Sequence, residues 1–261
     1  MRILIRTSKW AIWARRLGSF ALPLAVIPIF MHRARMIGSD VFEVVELVAA
    51  FFAVLGLVTA FGAFGRLWVT GDRGWGKAVL GALFSLICLV PIGYELSLAM
   101  RYPAVTDIST DWSDPPVLIS GYRPPPTSET TAQIQAAFPN VLTRTYPVGT
   151  EQVFALANAL VQARGWDVRI RRAPPSTDEE GQINAIATSL LGWRDEVSIR
   201  IRAATEGSAV AMRSASLGAR FDLGSNGTRI EEFLLALDSE VTVMLRDAPA
   251  AAAPIPEPPR G

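Results

Sequence analysis

Within its first hundred residues the chain carries an apolar run, Val44 to Phe64, that only Glu46 interrupts, near its start. A helix of about 20 such residues covers the hydrocarbon core of a bilayer, and a run of this kind is the signature of a membrane span. A second run, Ala78 to Tyr94, is free of charge and closes with Glu95 and Arg101. An earlier one, Leu17 to Met31, is uncharged but short. It reaches spanning length if the helix takes in Trp10 to Trp13 and if Arg15 and Arg16 extend to the headgroups. Pro23, Pro28 and Pro91 would kink these helices, which the bilayer tolerates where neighbours satisfy the freed carbonyls. A basic flank before an apolar stretch also fits a cleaved signal peptide. The segment that follows, Met31-His32-Arg33-Ala34-Arg35, is wrong for small-x-small cleavage, so the run is read as an uncleaved span. Glu46 is read as interfacial, beside Asp40 and Glu43, the alternative being a functional intramembrane carboxylate. Residues 1–101 thus form a three-span region.

Orientation follows from the short basic flanks. Arg2, Arg6, Lys9, Arg15 and Arg16 precede the first span, and Arg66, Arg73 and Lys77 lie between the second and third. On the other side stand only Arg33, Arg35 and Arg101. The bias puts the N-terminus in the cytoplasm, and three spans then put the C-terminal part outside. In a two-membrane bacterium this means the inner membrane, with a periplasmic domain.

Composition removes several chemistries. The net charge of +1 gives no global field for nucleic acid. The one cysteine, Cys88, lies in a span, and the one histidine, His32, lies beside one. The region after them therefore offers no zinc site of the usual ligands, no thiol and no Ser-His pair. Neither a cofactor nor a metal is expected.

Residues 102–141 are rich in Pro, Thr, Ser and Asp. Pro115-Pro116 and Pro124-Pro125-Pro126 favour extended backbone, so the segment reads as a linker. Regular periodicity then covers 142–246. Leu142–Val148 predicts a strand, and Thr150 opens a helix ended by Gly165, with Val153, Phe154, Leu156, Ala157, Leu160 and Val161 on one face. Trp166, Val168 and Ile170 alternate with charged residues as a half-buried strand. After a turn over Pro174–Gly181 come strands at 183–188, 197–202 and 209–214, the last two a hairpin about Glu206-Gly207. An amphipathic helix runs from Thr228 to Leu245 with Ile230, Phe233, Leu234 and Leu237 inward. The order β-α-β-β-β-β-α predicts an α+β domain with an antiparallel sheet, as in helix-grip and TATA-binding-like folds. The Ala/Pro-rich tail over 247–261 is expected to be disordered.

The segment Asp107-Ile108-Ser109-Thr110-Asp111-Trp112-Ser113-Asp114-Pro115-Pro116 resembles the opening motif of the family known as domain of unknown function 1499. Gly165-Trp166, Gly192-Trp193-Arg194-Asp195-Glu196-Val197, and Arg213-Ser214-Ala215-Ser216 leading to Asp222-Leu223-Gly224-Ser225-Asn226 and Arg229-Ile230 resemble its later hallmarks, over about residues 102–241. The family often has a basic residue where Leu217 stands and glycine where Ala219 stands, which weakens a ligand role for that loop here. The resemblance implies a membrane-associated or exported bacterial protein without an assigned activity.

Two readings of the last motif compete. Arg213, Ser214, Ser216, Arg220, Asp222, Asn226 and Arg229 could form an anion pocket of guanidinium forks at a helix N-terminus. Alternatively Asp222 pairs with an arginine and Asn226 or Ser225 caps the helix, which is the preferred reading. In the opening motif, Asp107, Thr110, Asp111 and Asp114 are read as turn-forming, with calcium chelation as the alternative. The expected function is a non-enzymatic, membrane-anchored module binding a lipid or small anionic ligand. Its rivals are an assembly factor contacting membrane protein partners through Gly/Ala-rich spans, and a carboxylate hydrolase using Asp111 and Asp222.

Overall fold

The computed structural model describes residues 6–176 and 179–247, and the expected tail beyond Asp247 lies outside them. Three long helices come first: α1 (Lys9–Arg33), α2 (Ser39–Thr70) and α3 (Trp75–Arg101). All three are long and apolar enough to cross a membrane. The first is no shorter than a span needs, because it begins at Lys9 and includes both Pro23 and Pro28. The chain after them forms β1 (Asp107–Ser109), α4 (Ser128–Ala137), β2 (Arg144–Tyr146), α5 (Thr150–Ala163), β3 (Asp167–Arg172), β4 (Gly181–Thr188), β5 (Arg194–Ala204), β6 (Gly207–Ser216) and α6 (Ser225–Asp247).

Two compact units result. The first comprises Met1–Thr106 together with the segments Thr188–Asp195 and Ser216–Gly224. Its helices meet along seams of small residues: Ala11, Ala14, Gly18 and Ala21 on α1, and Ala78, Gly81, Ser85 and Cys88 on α3. On α2 the buried stripe is Ala49, Ala53, Gly56, Ala60 and Ala63, at spacings of three and four. Removing bulk lets backbones approach, which is how helices bind each other where lipid is as apolar as the side chains. A Cβ on Gly18 would lie 2.6 Å from the Gly81 carbonyl oxygen. Large apolar residues such as Phe61, Trp68 and Val90 point outward instead. The small residues are thus used inside this bundle.

The second unit comprises Asp107–Ala187, Glu196–Ala215 and the chain from Ser225. Its sheet has the order β1-β6-β5-β4-β3, with β2 also on β6. β1 pairs antiparallel with Arg213–Ala215 and β2 with Ser208–Val210, so two short strands share one edge of β6. The segment read as a linker therefore contributes a strand and a helix. The prolines do exclude helix where they stand, but Thr127 follows them and accepts a hydrogen bond from the Thr130 amide, capping α4.

Strand alternation divides the sheet into two chemically distinct faces. One carries Ile183, Val197, Ile199, Ile201, Val210 and Met212, all fully buried. It packs with the buried faces of α5 (Val153, Phe154, Ala157, Val161) and α6 (Ile230, Phe233, Leu234, Leu237). The other carries Asn184, Glu196, Arg200, Arg202 and Arg213. The expected buried face of β3 does not form: Trp166 and Val168 are half-buried and Ile170 is 37% exposed, because β3 is the edge strand. The turn before β4 runs through residues 177 and 178, outside the described residues.

Candidate functional site

The polar face of the sheet is covered by the proline-rich segment between β1 and α4, and charged side chains hold it there. Arg213 donates from Nε to Asp107 Oδ1 at 2.9 Å and from Nη2 to Asp107 Oδ2, and its guanidinium lies over the Trp112 ring. Thr110 is stitched to β6 by its amide, which donates to the Met212 carbonyl, and by its hydroxyl, which accepts from the Met212 amide. Asn184 donates to the Val117 carbonyl at 2.9 Å, and the Glu196 carboxylate receives the amides of Ile119 and Ser120. Extended, proline-spaced backbone cannot satisfy its own amides and carbonyls, so these side chains do it instead.

Asp111 folds the segment locally, its Oδ1 accepting from the Ser113 hydroxyl (2.6 Å) and from the amides of Ser113 and Asp114. Its Oδ2 lies 3.3 Å from Arg200, which also donates to the Asp114 carbonyl at 2.6 Å. Burial alone would raise the Asp111 pKa. The hydrogen bonds from Ser113 and Asp114, with the Arg200 charge, outweigh it and hold the carboxyl below its ordinary range. Asp114 is lowered by its hydrogen bond from Arg202 and by the Arg200 charge. Arg202 in turn bridges Asp114 and Glu180, at 2.6 and 2.8 Å. The three aspartates of the opening motif are thus each engaged by arginine.

The residues proposed for an anion pocket go to different places. Ser214 points to the other face of β6 from Arg213, and its hydroxyl donates to Asn226 Oδ1 at 2.7 Å. Arg229 donates to that same oxygen (2.7 Å) and to the Ser214 hydroxyl (2.9 Å). Asn226 lies in the first turn of α6, since the helix begins at Ser225 and not near Thr228, and its side chain ties α6 to β6. Ser216, Arg220 and Asp222 belong to the first unit. There the Ser216 amide donates to Thr106, Asp222 Oδ1 accepts from the Gly224 amide at 2.9 Å, and Arg220 lies 3.5 Å from Glu43 of α2. Arg213, Arg220 and Arg229 therefore serve three separate partners.

The first unit contains what the sequence reading passed over: a cavity of about 480 Å3 among the C-terminal turns of α1 and α3 and the N-terminal turns of α2. Its walls are apolar, with Leu22, Val26, Ile29, Leu47 and Ile92 among them. Leu191 and Trp193, from the β4–β5 segment, close one side. Into this apolar space come Glu46 and Glu95, and no Lys or Arg lines it. Glu46 Oε1 is out of solvent without a hydrogen-bond partner among the described residues. Glu43 lines the cavity as well and is paired with Arg220 at 3.5 Å. The only sequence signal was that two carboxylates interrupt or border apolar runs.

The loop that brings Trp193 there is fastened to the end of α1. His32 Nδ1 donates to the Leu191 carbonyl at 2.8 Å, and Nε2 stands 3.1 Å from the Ser39 hydroxyl. The imidazole stacks on Phe42, centroids 4.6 Å apart, and meets Trp193 edge-on at 5.0 Å. Arg33 donates to the Leu190 carbonyl at 3.0 Å. Gly192, at φ +90°, lies against the Arg33 backbone, where a Cβ would come within 2.8 Å of Arg33 Cα. Both the backbone angle and the contact require glycine there.

No curated protein matches the chain. A family model does, from the first residue of β1 into α6, so that β1 and α4 fall within the matched domain. The match takes in half of the chain and every motif quoted above: over residues 107–237 this protein belongs to the family described as "Protein of unknown function (DUF1499)".

Proposed function

We propose that this is a multi-span membrane protein of the bacterial cell envelope that binds a lipid-like amphiphile without transforming it. The N-terminus is assigned to the cytoplasm and the α+β domain, of the helix-grip or TATA-binding-like class, to the periplasm. One observation carries the binding role: the cavity of about 480 Å3 with apolar walls and three lining carboxylates, of which Glu43 is paired with Arg220. This size lies within the range of roughly 300–1,000 Å3 usual for small-ligand sites. Carboxylates within apolar helices are costly to keep and characteristically mark sites of function. Glu46 and Glu95 suit a polar group that donates hydrogen bonds or carries positive charge, while the walls suit its tail.

The reading of a small anion bound at the β6–α6 segment has less behind it, because Arg213, Arg220 and Arg229 already hold protein partners. The assembly reading loses its motive too, since the small residues of the spans pack against one another. Native mass spectrometry of the full chain, released from membranes in mild detergent, tests the proposal. A lipid-sized adduct should accompany the wild type and be lost in Ala50→Phe, which fills the cavity. An adduct unchanged by Ala50→Phe, or a wild type with none, overturns it.

A further inference from the structure

A second cavity, of about 460 Å3, lies at the opposite end of α1, and its chemistry is the reverse of the first. It is lined by Ile12, Arg15, Arg16, Ser19 and Phe20 of α1 and by Lys77 of α3. Three cations thus border one space, with no carboxylate among its lining residues. No ion pair involves Arg15, Arg16 or Lys77 among the described residues; Arg16 lies 5.6 Å over the Trp13 ring. Arg15 and Arg16 stand six and seven residues into α1, about 10 Å from its start along the axis. Within a membrane-spanning helix guanidinium groups are costly unless they meet an anion or reach the interface.

We infer that this cavity is a binding site for the phosphate headgroup of an anionic phospholipid, held by Arg15, Arg16 and Lys77. Guanidinium forks match phosphate oxygens in pairs, and the lysine adds a compact third charge. Ser19 supplies a hydroxyl, and Ile12 and Phe20 offer apolar surface where the acyl chains begin. Basic pockets between membrane helices recognise anionic headgroups in this way. The site depends neither on the first cavity nor on the orientation proposed above.

The test reconstitutes the full chain into nanodiscs of phosphatidylcholine containing one fifth phosphatidylglycerol, then counts retained lipids by native mass spectrometry. The wild type should retain phosphatidylglycerol at least fivefold over its share of the bilayer. Arg15→Gln with Lys77→Gln should bring that enrichment to about one, while Arg66→Gln, a basic residue outside the cavity, should leave it intact. Adding millimolar inorganic phosphate to the wild type separates sources: the enrichment should persist, and its loss would make free phosphate the ligand and overturn the lipid assignment. Equal retention of both lipids by the wild type, or equal loss in the Arg66→Gln control, would show only diffuse charge attraction and also overturn it. The wild-type lipid comparison decides the matter even if the double variant fails to fold.

Discussion

Arg213 on β6 grips both carboxylate oxygens of Asp107 on β1, two residues that lie far apart in the sequence but on one face of adjacent strands. Both side chains are largely out of solvent. The pair fixes the strand that starts the family domain, and the same guanidinium covers Trp112. Arg213→Lys keeps the charge but loses the fork and the flat ring contact. The expected cost is about 1–3 kcal/mol, the range for removing a charged hydrogen-bond partner from a buried site. Thermal unfolding of the detergent-solubilised full chain measures it, and a melting temperature equal to the wild type's would show that the fork carries no weight.

Asp111 and Asp114 make the proline-rich cover sensitive to acid. Both pKa values are lowered in the folded state, so their stabilisation is fully present above the unfolded value of about 3.9. It is lost as pH falls through the depressed folded values. Hydrogen exchange at the amides of Ser113 and Asp114 should therefore accelerate relative to the helix core below about pH 4. Asp111→Asn should show faster exchange already at neutral pH and a flatter acid response. Identical pH profiles for the two proteins would contradict the assignment.

Much of this architecture is legible in the residues, and the failures have physical causes. The spans show because apolar runs need no partner to be recognised, and α5 begins at Thr150 and ends before Gly165 as its spacing predicts. The strand β1 and the helix α4 do not show. A three-residue strand has too little alternation to register, and it exists because β6 offers an unpaired edge. α4 has a weak apolar face and buries only Ile134, so tertiary packing and the Thr127 cap decide it. The arginines were legible as important but not their partners: adjacent residues such as Arg213 and Ser214 face opposite sides of β6, and sequence proximity hides that. The two cavities arise from helix ends that meet only in three dimensions.

Glycine at position 81 should be indispensable to the helix bundle, while glycine at 93 should not. A Cβ on Gly81 would lie 2.5 Å from the Ala14 carbonyl oxygen and 2.7 Å from the Arg15 nitrogen, main-chain atoms that cannot swing aside. Gly81→Ala must push α1 from α3, at an expected cost of about 1–3 kcal/mol or more. Around Gly93 nothing lies within 4 Å, so Gly93→Ala should be neutral or slightly stabilising through helix propensity. Retention of monodisperse protein after a heating series in detergent distinguishes the two. Equal behaviour would mean that the seam yields more readily than its geometry implies.

Which side of the membrane holds the α+β domain can be read with one engineered thiol. The native chain has a single cysteine, Cys88, which is only 5% exposed and sits within α3, so its background reactivity should be low. Tyr122 is 87% exposed in the segment before α4. Its replacement disturbs no core. Eight Lys and Arg residues flank the N-terminal ends of α1 and α3 and the C-terminal end of α2 (Arg2, Arg6, Lys9, Arg15, Arg16, Arg66, Arg73 and Lys77), against Arg33, Arg35 and Arg101 at the other ends. The orientation proposed above rests on that asymmetry, with the more basic end assigned to the cytoplasm. Tyr122→Cys should then react with a membrane-impermeant maleimide in cells whose outer barrier alone has been opened. Labelling that appears only after the inner membrane is broken would reverse the orientation, and with it the compartment in which the domain works.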